Sequence, residues 1–170
     1  MDDLHLELKI ANTRVMAKKL LRDHDLDHLD LEFGNSKTAL GTCVFNRITG
    51  EPKRITISKR WIPYLTPDET KDTILHEIAH AIAGHKAGHG PKWRKVARNI
   101  GAKPERLADI PPEISTRLRR HTAKWKLTCC NLGCDNVFYR HRLKSNATYR
   151  CPDCKHVLLH ELNPEKGTNK

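Results

Sequence analysis

The chain has 170 residues, enough for one compact domain with its own core plus a small appendage. No apolar run approaches the roughly 20 residues of a membrane span, and Met1-Asp2-Asp3 starts no secretory signal. A monomeric, soluble cytoplasmic protein with no membrane partner is the expectation. The net charge of +11 is lopsided: residues 1–85 carry 12 Lys/Arg against 13 Asp/Glu, whereas residues 86–126 carry 12 against 3. Such asymmetry points to a surface for a polyanion, above all nucleic acid.

Residues 4–22 read as an amphipathic helix, with Leu6, Ile10, Thr13, Ala17 and Leu20 on one side and Arg14, Lys18, Lys19 and Arg22 outside. The acidic run 23–30 breaks it, and its histidines read as exposed. Strands are expected over 29–33, 39–45 and 54–58, the last two joined as a hairpin with Gly50 at the turn. Cys43 falls in a strand without a base beside it, which suits a small buried residue better than a nucleophile. Thr66-Pro67-Asp68-Glu69 starts the next helix, with Pro at its first position and acid in its first turn.

That helix carries His76-Glu77-Ile78-Ala79-His80 and should end near Gly84. At about 100° per residue the two histidines share a side, with Glu77 at its edge. Two neutral imidazoles can grip one Zn²⁺ while the carboxylate reaches a water without ligating the metal. Ile74, Leu75, Ile78, Ala81 and Ile82 supply the apolar remainder. A third ligand must come from beyond the helix. His85 faces the wrong way if the helix continues, and Glu105 lies on a later segment. His89 is preferred, because Gly88 and Gly90 let the backbone turn back across the metal face. Pro91 then opens another helix with a Trp93, Val96, Ala97 and Ile100 stripe, capped by Gly101.

After Pro111-Pro112, residues 111–126 read as a basic connector. Arg117, Arg119, Arg120, Lys124 and Lys126 are candidate phosphate contacts, while Trp125 is expected to pack. Over 127–162, Cys130-x₃-Cys134 and Cys151-x₂-Cys154 have the spacing of a structural four-thiolate zinc site. Cys129 could replace Cys130; Cys130 is preferred because Gly133 could then take the tight turn of a knuckle. Phe138-Tyr139-Arg140-His141-Arg142 and Tyr149-Arg150 bring Arg140 and Arg142 together with aromatic residues, as strands facing nucleic acid would. Residues 163–170 read as a disordered tail.

With His76-Glu77-Ile78-Ala79-His80 followed by His89-Gly90-Pro91-Lys92-Trp93, the sequence resembles the SprT-like metalloprotease family, which includes Spartan. Leu40-Gly41-Thr42-Cys43 and Ile55-Thr56-Ile57-Ser58 look like the family's hairpin before the metal helix. The cysteines look like the zinc ribbon that many bacterial and phage members carry. The resemblance implies an α+β fold: a zincin-like metalloprotease domain over 1–110 followed by a β zinc ribbon. It implies a zinc endopeptidase with His76, His80 and His89 as ligands and Glu77 as the catalytic residue. A second zinc would be structural. DNA, including single strands, and proteins bound to DNA would be its partners. The contrasting expectation is a non-catalytic DNA-binding protein in which both zincs are structural.

Overall fold

The computed structural model describes residues 3–105 and 111–167, in two units that divide between Pro111 and Pro112. The first unit opens with helix α1 (Asp3–Asp23), which buries Ile10, Thr13, Ala17 and Leu21, the helical spacing expected of one apolar face. Three strands follow: β1 (Asp30–Gly34), β2 (Gly41–Phe45) and β3 (Pro52–Ser58). β2 and β3 form the expected antiparallel hairpin. β1 pairs with β3 in parallel, Leu31 opposite Ile55 and Phe33 opposite Ile57, so the strand order is β1-β3-β2. The hairpin leaves β2 at a sheet edge, where it packs against helix α2 (Pro67–Ala83).

The core of this unit lies between the sheet and the helices. Ile55 and Ile57 of β3 alternate inward and meet Ile74 and Ile78 of α2, all four at most 1 % exposed. Burying side chains of this size is worth about 1.5–3 kcal/mol each. Helix α3 (Pro91–Asn99) closes the core with Trp93 and Ala97. Ile82 was expected among the buried residues of α2 but is 41 % exposed, while its neighbours Ala81 and Ala83 stay in the core.

The second unit holds helix α4 (Pro112–Thr122) and an antiparallel sheet of order β5-β4-β6 from β4 (Trp125–Cys129), β5 (Val137–Arg140) and β6 (Leu158–Leu162). The expected connector over 111–126 is therefore corrected: most of it is α4 and the start of β4. The expectation of a disordered tail also needs correction for residues 163–167. Asn163 is buried and donates two hydrogen bonds, to the Arg120 and Ala123 carbonyls, and the Gly167 N–H donates to the His121 carbonyl. Residues 168–170 lie outside the described residues. Among the described residues no helix is long and apolar enough to cross a membrane.

Candidate functional site

Helix α2 is fixed at its start by a reciprocal cap. The Thr66 hydroxyl accepts from the Glu69 N–H, and the Glu69 carboxylate accepts from the Thr66 N–H at 2.7 Å. Pro67 supplies the first helical residue. Ten residues later the helix presents His76 and Glu77, both buried, and His80, half-buried. Beyond its end, Gly88 takes φ +48°, a conformation a side chain would resist, and the chain doubles back into α3. That reversal carries His89 to the two helical histidines.

The three imidazoles converge. His89 Nε2 lies 3.0 Å from both His76 Nε2 and His80 Nε2. A ring nitrogen has either one proton or one lone pair in its plane, so His89 Nε2 cannot complete a hydrogen bond to both neighbours. A cation at their focus would satisfy all three. Nitrogens about 2.0–2.1 Å from a tetrahedral zinc stand about 3.3 Å apart, so the observed spacing fits that ion. Burial holds His76 and His80 down at about 4, with repulsion from the neighbouring histidines adding to it, which keeps both rings in the neutral form a metal needs. The fully buried Trp93 ring stands 4.6–5.3 Å from all three rings and walls the cluster from behind. Of the other candidates for third ligand, Glu105 is exposed and outside the cluster, and His85 packs instead edge-on to Phe45, ring centres 5.2 Å apart.

Glu77 is 6 % exposed and contributes no atom to this group of three. Burial pushes its carboxyl up to about 7, while a hydrogen bond from the Cys43 N–H works the other way. β2 presses closely on this carboxylate: a Cβ at Gly41 would lie 2.8 Å from Glu77 Cγ. Gly41 and Cys43 thus position Glu77, a role the sequence reading did not assign them. The available signal was a glycine at the start of a strand, which often marks a close approach. Cys43, expected to be buried with no base beside it, is half-buried and has the Glu77 carboxylate as a neighbour; burial, with the Glu77 charge second, raises its thiol to about 12. The histidines and Glu77 open onto a cleft of about 360 Å³ that runs along β2.

The second unit brings four cysteines together: Cys129, Cys134, Cys151 and Cys154. Cys129 and Cys154 sulfurs are 3.3 Å apart and Cys134 and Cys151 sulfurs 3.8 Å, too long for disulfides and near the about 3.8 Å separation expected around a tetrahedral zinc. Cys130 does not join them and is exposed, which corrects the preferred pairing. The physical reason is the period of two in β4: Leu127 and Cys129 point inward together, so Cys130 points out. Gly133 does not make the knuckle turn by a left-handed conformation; the Asn131 side chain does, accepting from the Gly133 N–H. Asn136 donates to Cys151 sulfur, and the Cys154 thiol is lowered to about 6, chiefly by the His156 N–H. Both effects favour thiolates at these two positions, whereas burial and the neighbouring thiols raise Cys129 and Cys134.

The candidate phosphate contacts all fall in this unit, in varied settings. Arg119, Arg140 and Arg142 line a groove of about 390 Å³ between α4 and β5, with Phe138 and Tyr139. Arg140 also lies over the Tyr149 ring. Arg120 is held by Glu165, and Lys126 pairs with Glu161 at 3.4 Å. Lys124 stands over Trp125, whose half-buried ring packs beside the small core as expected. Arg117 sits midway along α4.

The SprT-like family matches residues 8–117, well over half of the chain and a span that contains the three histidines and Glu77. No curated protein and no solved structure matches the chain.

Proposed function

The chain belongs to the SprT-like family, and on that premise we propose that it is a zinc-dependent endopeptidase that cuts proteins associated with DNA. The observation that carries the reading is the convergence of His76, His80 and His89 beside a buried, non-ligating carboxylate at a sheet edge. A zinc ion held by those histidines would polarise a peptide carbonyl and acidify a water in its open position.

The chain's own residues do the rest. Glu77 takes a proton from the attacking water and returns it to the departing amine nitrogen. The Cys43 N–H and the space left at Gly41 hold the carboxylate in place for both transfers. β2 lies at the edge of its sheet beside the cleft, so an extended substrate segment can add to it through main-chain hydrogen bonds. The family membership and the donor set support an endopeptidase of zincin type.

The second unit would hold a structural zinc on Cys129, Cys134, Cys151 and Cys154, in the manner of a ribbon. Four thiolates leave no open position for chemistry. Arg119, Arg140 and Arg142 beside Phe138 and Tyr139 support DNA binding, with guanidinium groups for phosphates and aromatic rings for unpaired bases. The contrasting reading, a DNA-binding protein with two structural zincs, would need the histidine site closed, whereas the cleft opens onto it.

The test is cleavage of one protein substrate presented free, on single-stranded DNA and on duplex DNA. Faster cutting of the DNA-bound forms is expected. Equal rates with and without DNA would remove the DNA-directed part of the proposal, and turnover of small amides or esters alone would remove the endopeptidase.

A further inference from the structure

The cleft at the histidines does not end there. Past Phe45 and His85 it continues into a larger groove of about 1010 Å³, between the β2–β3 hairpin and residues 83–87. The two spaces share Thr42, Cys43, Phe45 and His85, so a segment lying along β2 passes from one into the other. The second groove is cationic. Arg47 from the hairpin, Lys86 from the turn and Lys92 from the first turn of α3 line it, and no Asp or Glu does. All three are exposed, and none has an ion pair among the described residues.

Resting on the endopeptidase reading, we propose that this groove selects substrates by charge: Arg47, Lys86 and Lys92 bind Asp or Glu side chains a few residues to one side of the cleavage point. A peptide fits better here than a nucleic acid, for two reasons. The groove continues the space beside the edge strand, where main-chain hydrogen bonds are offered to an extended segment. It also offers a base little to stack on, because the two rings that line it, Phe45 and His85, are already packed edge-on against each other.

Binding tests this without relying on turnover. On the zinc-loaded Glu77→Gln protein, fluorescence anisotropy compares a labelled extended peptide with a run of glutamates and its lysine counterpart. The acidic peptide should bind more tightly. The triple reversal Arg47→Glu, Lys86→Glu, Lys92→Glu should weaken it roughly tenfold at low salt, less at about 0.15 M, as expected for a few exposed ion pairs. An equal change of charge on α1, Lys18→Glu, Lys19→Glu, Arg22→Glu, should leave binding unchanged. Equal losses in both triple variants, or no loss in either, would overturn the proposal. So would a groove reversal that weakens binding of a single-stranded oligonucleotide and spares the peptide. Cleavage-site mapping with the unmodified residue at 77 should find acid enriched on one side of the cut, and the groove reversal should turn that preference basic. Cleavage indifferent to charge would sink the idea. Charge-selective binding with no cleavage of any peptide would uphold the groove and sink the endopeptidase reading.

Discussion

Gly41 and Glu77 occupy space that a single methyl group would dispute. A Cβ 2.8 Å from Glu77 Cγ must displace the carboxylate, because the strand is held by β3 and the helix by the core. Gly41→Ala should therefore lower kcat at least tenfold while zinc content and peptide KM stay close to normal, since misplacing a proton carrier costs chemistry more than binding. Loss of zinc instead would mean that Gly41 supports the histidines rather than Glu77. At the second site, Cys129→Ser should lower the zinc content of the protein by one ion, whereas Cys130→Ser should not, as measured by metal analysis of the purified variants. The reverse pattern would contradict the geometry. Both outcomes bear on what single residues disclose in a sequence. His89 was legible, because two glycines and a proline around a histidine announce a reversal of the chain. Cys129 was not, because Gly133 speaks only to the turn, whereas the ligand is chosen by the inward period of Leu127 and Cys129 in the strand before it.

At the scale of elements, α2 was the most legible, since its cap, its proline and its apolar spacing all agree. The reciprocal cap at Thr66 and Glu69 is local chemistry, and Thr66→Ala should cost about 1 kcal/mol in chemical denaturation of the first unit. No change would show that tertiary packing alone fixes the start of the helix. The parallel pairing of β1 with β3 was not legible. A hairpin is announced by its turn, whereas a parallel partner is chosen by burial across a longer stretch of chain. That pairing matters for function, because it occupies one side of β3 and so leaves β2 as the edge beside Glu77. The segment over 111–126 was misread for a related reason. Two prolines and a run of arginines look like a linker, yet Pro112 is the first residue of α4 and the arginines follow along that helix.

For the whole molecule, charge was legible in amount and less so in use. Of the seven residues proposed for phosphate, Arg120 and Lys126 are paired with Glu165 and Glu161, Lys124 stands over Trp125, and Arg119, Arg140 and Arg142 line the groove. Arg119→Glu with Arg142→Glu should weaken DNA binding and make its dependence on salt shallower, because fewer counterions are released. The same affinity at every salt concentration would refute that assignment. Glu165 and Asn163, read as tail, fold back on α4, a long-range contact that composition alone does not announce. The central claim is that the histidine site is catalytic, and it is tested most directly by Glu77→Gln in a DNA-dependent protease assay with zinc measured in both proteins. The account predicts that the variant keeps its zinc and its DNA binding and loses cleavage by about 10²–10⁴-fold, the range for a general acid–base group. Equal cleavage by the two proteins would contradict it.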